Sequence, residues 1–148
     1  MQESEDSYVR VAVLIMLWLG LFAGACATLI HWLGPVHRTM DLIVPPASCV
    51  VFGSLIVALM RRPWWLQAIV RVALAAGALA LIAPAWFYTL HAVSTPGVRL
   101  IDVLPPVPSL FVMLLVLVMI FIPGRRAFVL ALLCWLLIAL PVLAYLAF

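Results

Sequence analysis

The stretch VRVAVLIMLWLGLFAGACATLIHWL, Val9–Leu33, decides the fold class. Its one formal charge is Arg10, at the second position. A helix rises about 1.5 Å per residue, so this run is long enough to cross a hydrocarbon layer of about 30 Å. The run is continuously apolar rather than alternating, which selects a helix over a barrel strand. The acidic segment before it, Met1–Ser7, lacks the basic start of a signal peptide, and the run exceeds the usual apolar core of one. A lipoprotein site at Cys26 is disfavoured by Ala23, which stands where a leucine is usual. Val9–Leu33 therefore reads as a retained membrane span.

Four more runs of the same kind follow. Leu42–Met60 is stopped by Arg61-Arg62-Pro63, and Trp64–Leu90 carries Arg71 in its first turns. Val103–Ile122 is followed by Pro123-Gly124-Arg125-Arg126, and Ala127–Phe148 is the last. The expected fold is all-α: a polytopic bundle of five transmembrane helices, over 9–33, 42–60, 64–90, 103–122 and 127–148, in one domain over 1–148. The whole chain agrees. Hydrophobic residues make up 69% and charged residues 9%, which excludes both an ordinary soluble domain and a disordered one. Five spans use up the 148 residues and leave no space within them for a soluble enzyme domain.

The eight basic residues are all arginine and set the topology. Arg10, Arg61, Arg62, Arg71, Arg125 and Arg126 fall on one side of the five spans, and Arg38 and Arg99 on the other. Positive charge favours the cytoplasm, so the N-terminus is expected there. Trp64 and Trp65 then mark the inner interface, and Trp32 and Trp86-Phe87-Tyr88 the outer one. The arginines lie singly or in pairs between apolar runs, unlike the clustered face of a nucleic-acid binder, so no nucleic acid is expected as a partner.

The two outer loops repeat each other. Arg38, Asp41 and Ser48 recur at an offset of 61 as Arg99, Asp102 and Ser109. His31 and Pro45-Pro46 recur at 60 as His91 and Pro105-Pro106. The unit is a helical hairpin of about 61 residues, ending on an arginine pair. Proline suits the first turn of a helix, so the proline pairs are expected to open the descending helices or hold a short extended entry. Pro84 and Pro141, late in ascending helices, are expected to kink them and shape a shallow outward vestibule.

The candidate ligand-binding residues are Arg38, Asp41, Arg99, Asp102, His31 and His91. The Arg-x-x-Asp pairs either anchor the loops or bind a small ligand or ion near the outer face. The two histidines end ascending helices at equivalent places, where they bond loop carbonyls, sense pH or, as the rarer alternative, hold a haem. No cofactor or metal is otherwise expected. Cys26, Cys49 and Cys134 sit in apolar runs, form no Cys-x-x-Cys, and read as small hydrophobes. Gly20 and Gly24 on the first helix, and Ala76 and Ala80 on the third, are small residues that let helices approach closely. Catalytic motifs and mid-span carboxylates are absent from the sequence, which argues against hydrolase chemistry and proton relays.

The short acidic N-terminus before Arg10, the Arg-x-x-Asp … Pro-Pro outer loops and the Arg-Arg inner turns give the chain a resemblance. It resembles the N-terminal multi-helix membrane sensor regions of bacterial signalling proteins, in particular those preceding a GGDEF diguanylate cyclase domain. The resemblance covers the whole chain and rests on motifs of low specificity. It implies a sensor in the bacterial inner membrane, a homodimer, and an attached cytoplasmic output domain that makes cyclic di-GMP. The chain departs from the family in having five expected spans and no GGDEF motif, so no catalytic residue carries over. The repeat turns this into an expectation: a third unit begins near Ala127, and its outer loop would fall beyond Phe148, as in a fragment cut before a sixth helix. The alternatives are a small repeat-built transporter or channel-like protein, or a structural subunit of a membrane complex.

Overall fold

The structure is a computed structural model, which describes residues 2–34, 38–95, 107–122 and 124–147, with side chains over 7–34, 38–95, 111–122 and 124–145. The described residues are helical throughout, apart from short connections. The elements are α1 (Gln2–Leu33), α2 (Thr39–Arg61), a 3-10 turn (Pro63–Trp65), α3 (Leu66–Ser94), α4 (Val107–Phe121) and α5 (Arg125–Ala147). Four stretches are long and apolar enough to cross a membrane: Ser7–Leu33, Thr39–Arg61, Pro63–Ser94 and Arg125–Tyr145. The remaining helix, α4, has 15 described residues. At about 1.5 Å per residue it is roughly 22 Å long, short of a full crossing. The first part of the expected 103–122 span lies outside the described residues. The chain is thus a helical membrane protein.

The chain divides into two compact units, Met1–Ala76 and Gly77–Phe148. The division falls within α3 and not at an arginine-pair boundary of the hairpin repeat. In the first unit α1 and α2 run antiparallel. A Cβ on Gly20 would lie 3.2 Å from the Phe52 ring, and one on Gly24 would lie 2.9 Å from the Cys49 sulfur. Val13 and Leu17 on α1, and Leu55, Ile56 and Leu59 on α2, are buried. The spacing of the α1 pair, four apart, puts both on one helix face. Ile69, Val70, Ala73 and Leu74 form a similar buried stripe on the first half of α3. Large apolar side chains such as Trp18, Phe22 and Ile30 are exposed instead, as lipid-facing residues are.

In the second unit the buried stripe of α3 is Ala85, Tyr88, Thr89 and Ala92, again at helical spacing. Thr89 is the buried polar side chain of this stripe, and its hydroxyl donates to the Ala85 carbonyl at 2.7 Å. Phe111, Leu114 and Val118 are the buried positions on α4, and a Cβ on Gly77 would lie 3.6 Å from the Leu114 side chain. Gly124 turns the chain into α5 with φ 72, a left-handed conformation that L side chains rarely adopt.

One expectation about local structure is overturned. Pro45-Pro46 do not open the second helix. It begins at Thr39, so both prolines sit in its interior. Arg38 is the N-cap, in extended backbone at φ −96 and ψ 137, and Asp41 lies in the first turn. A carboxylate there faces the unpaired N–H groups and positive dipole end of the helix, which favours starting the helix before the prolines. Helical bonding across the prolines is then incomplete, because residues 45 and 46 offer no N–H to the carbonyls of Asp41 and Leu42.

Candidate functional site

The first polar cluster lies at the junction of α1 and α2. His31 is in the last turn of α1 and is half-buried; Arg38 and Asp41, also half-buried, begin α2. Neither Arg38 nor Asp41 is without an interaction in the structure. The connection 35–37, with His37, lies outside the described residues. Just below this end, Ala25, Thr28, Leu29 and Trp32 of α1 face Pro46 and Cys49 of α2 across an open apolar groove of about 330 Å³. Its walls are held by local hydroxyl bonds, which spare the membrane a bare polar group. Thr28 donates to the Gly24 carbonyl at 2.7 Å, and Ser48 to the Val44 carbonyl at 2.8 Å.

Cys49 ties the two helices together. Its thiol donates to the Leu21 carbonyl on α1 at 3.7 Å, while its sulfur fills the space that the missing Gly24 side chain leaves. The Pro45 carbonyl comes within 3.4 Å of the same point. The small residues of α1 therefore meet the proline-interrupted part of α2. A polar event at Arg38 and Asp41 is about two turns from this seam.

The second repeat copy is only partly described. Arg99, Asp102 and Pro105-Pro106 lie outside the described residues. His91 is exposed in the last turn of α3, and its carbonyl accepts from the Ser94 hydroxyl at 3.1 Å. His31 belongs to the first unit and His91 to the second. Among the described residues no group of three or more His, Cys, Asp or Glu side chains is placed to hold a metal ion. The three cysteines are free thiols, each half-buried. Ala76 and Ala80 are half-buried on α3.

No family model, curated protein or solved structure matches the chain.

Sequence reasoning missed one residue with a definite task. Trp86 reads in the sequence as an interface marker. In the structure its indole N–H donates to the Leu137 carbonyl on α5 at 2.8 Å. That acceptor is the carbonyl that Pro141, four residues later in the same helix, leaves without its helical donor. The signal was present: an interior proline on one apolar helix, and an indole donor on another. α5 runs continuously from Arg125 to Ala147 through Pro141.

At the other end, Arg61 and Arg62 close α2, and the Arg62 guanidinium stacks over the Trp65 ring at 4.8 Å. Trp64 is exposed beside it. Stacked arginine and exposed tryptophan suit a boundary between hydrocarbon and headgroups.

Proposed function

We propose that the chain is a membrane-embedded sensory or anchoring domain, with its N-terminus in the cytoplasm. It detects a signal at the Arg38–Asp41 end and regulates a cytoplasmic output domain, a diguanylate cyclase, within a dimer. The observation that carries the reading is the entry of α2. Two charged residues begin the helix, and the proline pair behind them removes two of its hydrogen bonds. The carbonyls of Asp41 and Leu42 in this turn are consequently left without helical donors. A ligand that prefers one arrangement of it shifts the population by its difference in affinity between the two states. The Gly24–Cys49 contact passes that shift to α1. The resemblance to sensor regions before GGDEF domains supplies the output and the dimer.

The test joins the chain, through an added sixth transmembrane helix, to a diguanylate cyclase domain in the cytoplasm of a bacterium and reads cyclic di-GMP. The expected result is a level that changes with external conditions in the wild type and is locked in Arg38→Ala, Asp41→Ala and Pro45→Ala/Pro46→Ala. An output that ignores all three changes would overturn the proposal. Cysteine crosslinking in membranes of the same bacterium is expected to trap a dimer.

A further inference from the structure

We infer that the Arg10, Arg61 and Arg62 end of the first unit is a binding site for the phosphate of an anionic phospholipid. The α1–α2 register places the three residues at one level. Gly20 meets Phe52, and the helices are antiparallel. Ten residues back along α1 is Arg10; nine residues on from Phe52, α2 ends at Arg61, with Arg62 as its C-cap. Both helices rise by the same amount per residue, so Arg10 stands level with Arg62 and Arg61. Val13 and Leu17 on α1, and Leu55 and Leu59 on α2, are buried at positions that the same register sets level.

The site has the chemistry of a phosphate clamp. Arg61 and Arg62 are exposed and Arg10 is half-buried. The Arg10 Nε is shielded from solvent and has no hydrogen-bond partner among the described residues. A shielded guanidinium N–H without an acceptor is a costly arrangement, and a phosphate oxygen relieves it. Guanidinium groups also suit phosphate because their planar fork offers parallel donors. Like charges at one level repel unless an anion lies between them.

The membrane decides where the phosphate comes from. From Arg10 to the end of α1 at Leu33 the helix covers about 35 Å, close to the hydrocarbon thickness. Arg10 thus marks a hydrocarbon boundary, where lipid phosphates are concentrated. The exposed Trp64, and the Arg62–Trp65 stack, belong to the same level. Basic sites between transmembrane helices at such a boundary hold anionic headgroups. The intramolecular rival is Asp6, four residues before Arg10 in the sequence. The site does not rest on the sensory reading.

The test purifies the whole chain in nanodiscs that mix phosphatidylglycerol with phosphatidylcholine, and counts retained phosphatidylglycerol by native mass spectrometry. Wild type is expected to keep one phosphatidylglycerol in preference to phosphatidylcholine. Arg10→Gln is expected to weaken retention about fivefold, and Arg61→Gln/Arg62→Gln by that factor for each arginine removed. Arg10→Lys separates a built site from general attraction. It keeps the charge but lacks the Nε donor, so it is expected to lose several-fold in retention. Melting in pure phosphatidylcholine discs, expected to match wild type, shows that each variant is folded. Retention in Arg10→Lys equal to wild type would overturn the clamp, and so would unchanged retention in Arg10→Gln. Asp6→Asn is expected to leave retention intact or raise it; a fall there would overturn the assignment. Displacement of the lipid by an equal concentration of inorganic phosphate would overturn the lipid as its source.

Discussion

Replacing Trp86 by Phe removes one hydrogen bond and little else. The ring keeps most of its apolar surface, but the indole N–H that reaches the Leu137 carbonyl at 2.8 Å is gone. In a helix without proline the loss would be minor, because residue 141 would donate to that carbonyl itself. Here residue 141 is a proline, so the carbonyl is left bare in hydrocarbon. Interhelical hydrogen bonds in membranes contribute about 0.6 kcal/mol on average and about 1.7 kcal/mol at most. An acceptor left unsatisfied in a buried position costs about 1–3 kcal/mol. We therefore expect Trp86→Phe to destabilise the second unit by about 1–2 kcal/mol. The assay is reversible unfolding in mixed micelles, carried through a double-mutant cycle with Pro141→Ala. In the Pro141→Ala background the helix supplies its own donor, and the Trp86→Phe cost should fall below about 0.5 kcal/mol. An equal cost in both backgrounds would falsify the claim that the indole substitutes for the missing proline N–H.

Other substitutions probe the close contacts. Gly24→Ala puts a methyl group 2.9 Å from the Cys49 sulfur; it should destabilise the α1–α2 pair by about 1–3 kcal/mol, and Cys49→Ala should recover much of this in a melting experiment. Gly20→Ala should cost less, because the Phe52 ring it meets at 3.2 Å can swing aside. Gly53 has open space around its Cβ position, so Gly53→Ala should leave stability unchanged or raise it by up to about 1 kcal/mol. Gly124→Ala forces a side chain onto φ 72 and should lower the melting midpoint, at about 1–2 kcal/mol.

The legible part of this protein was the part that composition and periodicity control. Val9–Leu33 announces a helix because a continuous apolar run in lipid has to satisfy its own backbone. Gly20 and Gly24 announce a close approach because small residues are what close approach requires. The start of α2 was misread because proline signals a helix start only on average. The competing signal, Asp41 in the first turn with Arg38 before it, sets the boundary at Thr39. Arg38, Asp41 and His31 were legible as polar residues at an apolar boundary, and the structure places them at the α1–α2 junction. For Arg99 and Asp102 the sequence pattern is all there is, because they lie outside the described residues.

Composition is enough to name the solvent. With 69% apolar residues and 9% charged ones, the chain belongs in a bilayer and must be helical there. Pairing between helices is visible only in the folded chain. Which carbonyl the Trp86 indole reaches, which sulfur fills the notch at Gly24, and which arginines stand level with one another depend on helix register. Register is set by side-chain packing between segments distant in sequence. In lipid the apolar pattern is nearly the same on every face, so periodicity carries little information about which face meets which neighbour.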